Sequence, residues 1–474
     1  MKRWLKAGLI GIGVILIVAV GAFVWFLSNA LPLGTGFAAK YLCSSTFISQ
    51  RTPEVVFKED VAPINPLSLA VDYQVNHQQK SVSADSFGFF RAKAIYREGS
   101  GCSLVIGTTA ENMRRQTFYD PATQATRPVQ QHDLRWPQGS GGPVDPASQG
   151  IDPKQLNMAL EAAFAEPGPA KPKKTRAIIV VYDGRLVAER YAPGFHKDMP
   201  LLGWSMSKSV TNALVGIQVK KQWLDIKAQA PVPEWQKDGN PRQKITIDQL
   251  LRMSTGLKFE ESYIPPDDTT RMLFESYDFA AYAAVRPMEA KPDAKWNYSS
   301  GVANIIARIV RQTAEKNDPL YYNFIRNELF DKIGMYSALM EPDPSGTFVG
   351  SSYTFATPRD WARFGLLYLQ DGVWNGERIL PQGWVKYTTT PTPLAPQGEY
   401  GALFWLNAGS PSNPEDRRWP RAPRDAYAAT GFQEQKVIII PSKKLVLVRF
   451  GATSDRAAWN TDEFIANVLA ALPN

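Results

Sequence analysis

The chain has 474 residues, with 53 Lys and Arg against 45 Asp and Glu for a net charge of +8, and 44% of its residues are hydrophobic. This is ordinary globular composition; it argues against disorder, collagen-like repeats and a polytopic membrane protein, and the length suffices for two or three domains. Lys2, Arg3 and Lys6 supply three of the positive charges, so the nearly balanced remainder offers no clustered surface for nucleic acid, and 3 His with 2 Cys offer no zinc or iron–sulfur site.

Residues 7–27, AGLIGIGVILIVAVGAFVWFL, carry no charge. At about 1.5 Å per residue they reach about 31 Å, the thickness of a bilayer core. Residues 1–30 therefore read as an N-terminal membrane anchor. Three cations precede the run and none follows until Lys40, which places the N-terminus in the cytoplasm and the remainder on the periplasmic or extracellular side of an inner or plasma membrane. A cleaved signal peptide is the alternative, although its apolar region is usually only about 7–15 residues. Export would let Cys43 and Cys102 form a disulfide, worth about 4 kcal/mol for a loop of this length.

From residue 31 to 135 there is no long helical period. Arg91–Arg97 and Cys102–Ile106 read as strands around a Gly-Ser-Gly turn, which suggests a small β-rich domain. Residues 136–150 (WPQGSGGPVDPASQG) form a linker. A larger domain is expected over 151–474. Asp152-Pro153 starts a helix with Leu156, Leu160, Ala163 and Phe164 on one face. Ala177–Val181 and Arg185–Glu189 flank the hairpin dipeptide Asp183-Gly184. Lys436–Ile440 and Leu445–Phe450 make a further hairpin, and a helical stripe runs over Thr461–Leu472. Strands at both ends enclosing a helical middle predict an α+β fold: one antiparallel sheet flanked by helices, with a helical subdomain.

The chemistry concentrates in Leu201–Gln222, LLGWSMSKSVTNALVGIQVKKQ. Met206, Val210, Ala213, Leu214 and Ile217 recur at helical spacing, and Ser205 and Lys208, three positions apart, share the face of the first turn. A hydroxyl needs a base to become a nucleophile, and a buried lysine can act as one because burial disfavours its charged form. Backbone N–H groups at the helix start can stabilise an oxyanion. Further on, KWNYSSGVAN (295–304) sets Tyr298 before a helix, and AATGFQEQ (428–435) sets Thr430-Gly431 before a strand.

In this order Ser205-x-x-Lys208, Tyr298-x-Ser300 and Thr430-Gly431 resemble the three motifs of the serine β-lactamase and penicillin-binding protein superfamily. The resemblance covers about residues 150–474 and includes Arg359–Pro381, similar to the long helix and turn of class C-like members. It implies a β-lactamase/transpeptidase-like fold and an acyl-enzyme on Ser205, with Lys208 as general base and Tyr298 as proton shuttle. The implied oxyanion hole is the backbone N–H of Ser205 and of Phe432, with Ser300, Thr430 and Gly431 toward the substrate.

Two departures bear on specificity. Ser300 stands where class C enzymes have Asn, and Ala429 stands where β-lactamases carry Lys or His, a side chain that helps bind the β-lactam carboxylate. The chain looks closer to the esterase and 6-aminohexanoate-dimer hydrolase branch, in which a tyrosine on the loop after the serine helix contacts the substrate amide. Tyr263 in Glu260-Glu261-Ser262-Tyr263 occupies a similar loop, whose Glu260, Glu261, Asp267 and Asp268 either attract an amine or form a solvated acidic surface. The expectation is a hydrolase of a small ester or amide, with no cofactor and no metal. A non-hydrolytic sensor or scaffold and a cell-wall D-amino-acid peptidase are the alternatives. Substrate identity and oligomeric state are not legible.

Overall fold

The computed structural model describes residues 2–64, 66–116, 128–168, 170–317 and 321–473. Residues 117–127, within the region expected to be a small β-rich domain, lie outside the described residues.

Helix α1 runs from Lys2 to Phe47. Its first part carries the exposed apolar side chains expected of a span, Ile12 through Phe26, and it is long and apolar enough to cross a membrane. Contrary to the expected break near residue 30, it continues without interruption, and Ala30, Leu31, Leu33, Ala38, Ala39 and Leu42 are buried. Pro32 sits where exposure gives way to burial. The continuing helix covers a four-stranded antiparallel sheet, β1 (Asp72–Asn76), β2 (Ser81–Ser86), β3 (Phe89–Arg97) and β4 (Gly101–Leu104). Cys43 of α1 is disulfide-bonded to Cys102 of β4.

A buried polar cluster ties α1 to the rest of the chain. Lys40 forms an ion pair with Glu341 and donates to Ser44 Oγ at 2.9 Å. Glu341 also accepts from Ser44 Oγ at 2.8 Å and from the Cys102 backbone N–H at 2.6 Å. Every oxygen of this buried carboxylate is thus occupied, which is the condition for tolerating a charge away from water.

The second sheet has six antiparallel strands, β5 (Thr175–Tyr182), β6 (Arg185–Tyr191), β7 (Trp405–Leu406), β8 (Tyr427–Gly431), β9 (Gln435–Ile440) and β10 (Leu445–Gly451), in the order β7-β8-β9-β10-β5-β6. Alternation along the strands sorts its two faces. Ile178, Val180, Ile438 and Leu447 pack with the helices Pro153–Phe164 and Thr461–Leu469, through Leu156, Leu160, Phe464 and Val468. Ile179, Val181, Val437 and Val446 face the other way, toward Trp361 and Phe364 of helix Pro358–Leu369 and Val210 and Leu214 of the serine helix Met206–Lys220. Strands from the early and late parts of the larger unit thus share one sheet, while residues between β6 and β7 build the helical part that carries Ser205, Lys208 and Tyr298. The fold is α+β and β-lactamase-like, with antiparallel sheets flanked by helices.

Candidate active site

Ser205 is the N-cap of the serine helix. The residue before it, Trp204, has φ 49°, a conformation a bulky side chain adopts only when its surroundings hold it there. They do: its ring stacks on Tyr41 of α1 at 6.0 Å and meets Phe432 edge-on at 5.6 Å. This turn aims Ser205 at the end of β8. Gly431 closes the approach, because a Cβ there would lie 2.1 Å from the Gly203 carbonyl oxygen. Only a glycine lets that strand end, and with it the backbone of Phe432, reach the serine turn.

Lys208, 1% exposed, donates to Ser205 Oγ at 3.0 Å, to Ser300 Oγ at 3.0 Å and to the Ser351 carbonyl at 3.3 Å. Its Nζ lies 4.6 Å from the centre of the Tyr298 ring. Ser300, the first residue of helix Ser300–Asn317, donates its hydroxyl to Glu261 Oε1 at 2.6 Å. Its backbone N–H donates to the same carboxylate, which also accepts from Tyr263 OH at 2.8 Å.

These partners fix the direction of each proton. A carboxylate and a carbonyl only accept, so the Ser300 hydroxyl hydrogen is committed to Glu261, and Ser300 Oγ and Ser351 O can only receive from Lys208. Lys208 Nζ thus has three oxygen partners, Ser205 Oγ, Ser300 Oγ and Ser351 O, and lies 3.9 Å from Glu261 Oε1. With the Ser300 hydrogen directed to Glu261, Ser205 is the neighbouring hydroxyl placed to give its proton to the amine.

Of the residues expected from the sequence, Ser205, Lys208, Tyr298, Ser300 and Tyr263 are brought together here, and Gly431 meets the serine turn at Gly203. Ser300 is fully buried between Lys208 and Glu261. Tyr263, with φ 59°, stacks on Phe432 at 5.6 Å, and burial followed by the Glu261 carboxylate drives its phenol pKa well above the ordinary value, so it stays a hydrogen-bond donor. The Thr430 hydroxyl is buried without a hydrogen-bond partner. Ala429 is fully buried, and Lys436, paired across the sheet from Thr430, is bonded to Glu434 at 2.9 Å; burial lowers its pKa to about 8.

The acidic loop does not present a cluster to an amine. Asp267 caps helix Asp268–Glu275 and accepts from the backbone of Ser262 and Tyr263. Asp268 pairs with Arg286 at 3.0 Å, and Glu261 turns inward. Sequence reasoning missed this inward Glu261, the Ser351 carbonyl, and Tyr400, whose ring packs with those of Trp405 and Tyr298. Glu261 carried a faint signal, two residues before the tyrosine singled out; the others carried none.

Comparison with known proteins bears on the family and the fold. A 6-aminohexanoate-dimer hydrolase of Paenarthrobacter ureafaciens is 24% identical over 305 residues, covering 59% of this chain and 73% of that protein. The Bacillus anthracis protein assigned provisionally as a 6-aminohexanoate-dimer hydrolase shares the fold with a TM-score of 0.54 at 21% identity, over 77% of this chain and 99% of that one. A penicillin-binding protein homologue from Caulobacter crescentus does so with a TM-score of 0.51 at 14% identity, over 70% and 99%. The Beta-lactamase family model matches residues 166–471, more than half of the chain, and this protein therefore belongs to the Beta-lactamase family as a serine hydrolase.

Proposed function

We propose that the protein cleaves a small ester or amide through an acyl-enzyme on Ser205. The observation that carries this reading is the 3.0 Å separation of Lys208 Nζ and Ser205 Oγ, with the Ser300 hydroxyl hydrogen directed to Glu261 and not to Lys208. Ser205 Oγ attacks the carbonyl carbon and Lys208 receives its proton. The tetrahedral oxyanion is held by the backbone N–H groups of Ser205 and Phe432. Tyr298, whose ring packs beside Lys208, relays the proton to the leaving alcohol or amine as the carbonyl-to-leaving-group bond breaks. Water then attacks the Ser205 ester by the reverse proton path and regenerates the serine.

The relatives' printed activity favours an amide or ester over a β-lactam, and so does Ala429 in place of a cationic side chain. Residues 7–27 act as an uncleaved anchor, with residues 31–135 and 151–474 outside the membrane, in keeping with the three cations before the span. The test is labelling by a fluorophosphonate and turnover of p-nitrophenyl acetate in wild type and Ser205→Ala. Labelling and turnover lost only in the variant support the reading. Absence of serine-dependent labelling and turnover refutes it, and a stable adduct without turnover points to a sensor instead.

A further inference from the structure

A cavity of about 290 Å³ opens against Trp204, the residue before Ser205, and one wall of it is α1; Ser205 itself does not line it. Leu33 and Phe37 of α1 face Ile64, Leu273 and Phe274 across it, and Trp204 and Phe432 form its boundary with the serine turn. The volume lies at the lower end of the range for small-molecule sites, and the wall is chiefly hydrocarbon. Phe37 packs edge-on against Phe274 at 5.6 Å. At the margin of this region, Leu69 is 78% and Ile264 is 73% exposed.

Two facts fix what such a cavity would take. Phe432, whose backbone N–H is the proposed oxyanion donor, lines it together with Trp204 and Tyr263, whereas the Tyr298 ring packs on Tyr400 and Trp405; with Tyr298 taken as the proton donor to the leaving group, the cavity lies on the acyl side of the carbonyl. The wall residues Leu33 and Phe37 follow the last apolar residue of the span, Leu27, by six and ten positions, or about 9 and 15 Å along the helix. That is just beyond a headgroup layer about 5–8 Å thick.

Resting on the Ser205 reading above, we infer that this cavity binds an apolar acyl chain of medium length, making the substrate an amphiphilic ester or amide met at the membrane surface. Each methylene withdrawn from water contributes about fourfold in binding, so two or three buried methylenes separate octanoate from acetate by at least tenfold.

The test uses the full chain in detergent and p-nitrophenyl acetate, butyrate and octanoate, read as kcat/KM ratios. Gly34 also lines the cavity, and a Cβ there meets only Val71, at 4.0 Å, so Gly34→Leu projects into the space without striking backbone. Wild type is expected to favour octanoate over acetate at least tenfold, and Gly34→Leu to reduce that ratio at least tenfold. Ile64→Phe, on the opposite wall, serves as a second variant should the first disturb α1. Fluorophosphonate labelling reports in every case that Ser205 is assembled. Labelled proteins whose ratio ignores both substitutions, or a wild type that prefers acetate, overturn the acyl pocket and leave the hydrolase reading standing; a wild type that is neither labelled nor active fails that reading instead. Reconstitution in phosphatidylcholine vesicles separates the sources of the chain: fatty acid released from the vesicle lipid places it in the bilayer, and octanoate turnover without such release places it among dissolved amphiphiles, each consistent with the pocket.

Discussion

Removing the Glu261 carboxylate should disable the base, chiefly through Ser300, and also takes away a carboxylate 3.9 Å from Lys208 Nζ. In Glu261→Ala, Ser300 loses the acceptor of its hydroxyl proton, now 2.6 Å away. The hydroxyl is then free to rotate and donate to Lys208, 3.0 Å away, competing with Ser205 for the Lys208 nitrogen. Breaking one such hydrogen bond costs about 0.5–1.5 kcal/mol, and loosening Lys208 in its site adds to it, so kcat/KM should fall by about 10- to 100-fold, equivalent to about 1.4–2.7 kcal/mol. Ser300→Ala removes one anchor of Lys208 but leaves no competing proton, and its loss should be nearer tenfold. The decisive variant is the double one. With no hydroxyl to misdirect, Glu261→Ala/Ser300→Ala should be no less active than Glu261→Ala, an interaction of at least about 1 kcal/mol in a double-mutant cycle. Steady-state hydrolysis of p-nitrophenyl acetate reads all four proteins, with thermal unfolding to show that each is folded. Additive losses, or a Glu261→Ala enzyme as active as wild type, would refute the assignment of the Ser300 proton.

Glu341→Leu strands the buried Lys40 cation and should cost about 3–5 kcal/mol, while Lys40→Met/Glu341→Leu recovers most of it; denaturant titration in detergent compares the two, and a double variant as unstable as the single would contradict the pairing. In Gly431→Ala the new Cβ cannot occupy a point 2.1 Å from the Gly203 oxygen, so β8 must retreat and take the Phe432 N–H with it. Turnover should drop about 100-fold at nearly unchanged KM, and a drop confined to KM would argue against an oxyanion role. Burial pushes the Asp343 pKa up to about 7 against an ordinary value near 4. The folded state therefore keeps a proton that the unfolded chain has lost, so this group's contribution is complete below about pH 4 and disappears as pH rises through 7. Unfolding free energies between pH 4 and 8 should decline less steeply in Asp343→Asn, and identical slopes would exclude this group as their source.

The motifs of the candidate site were legible because each is a local pattern. Three residues of helical spacing bring Ser205 to Lys208, and the hairpins read about Asp183-Gly184 and between Lys436–Ile440 and Leu445–Phe450 frame the sheet that carries Thr430-Gly431. Asp152 behaves as the capping rule requires, accepting from the Lys154 and Gln155 backbone N–H groups. The role of Glu261 was hidden because its direction is set at long range: the Asp267 cap holds the backbone of Ser262 and Tyr263, and a chain that looks like an acidic surface loop is turned toward residue 300.

The continuation of α1 was hidden for a different reason, and it is the more instructive one. Residues 31–37 read LPLGTGF, in which a proline and two glycines carry costs of about 3 and 1 kcal/mol each in a helix interior. Local preference alone ends the helix there. Tertiary contact overrides it: Gly36 lies against Phe274, where a Cβ would be 3.0 Å from both its Cβ and its carbonyl oxygen, so a helix of better formers could not approach so closely. Gly34, two residues earlier, leaves open the space that a larger side chain would fill. The small residues that weaken the helical signal are therefore the ones that let α1 pack beside the serine turn and still leave a cavity. A stretch that looks like a linker between anchor and enzyme is built as a wall of the candidate substrate site, and substitutions that raise its helix propensity should do so at the expense of that site.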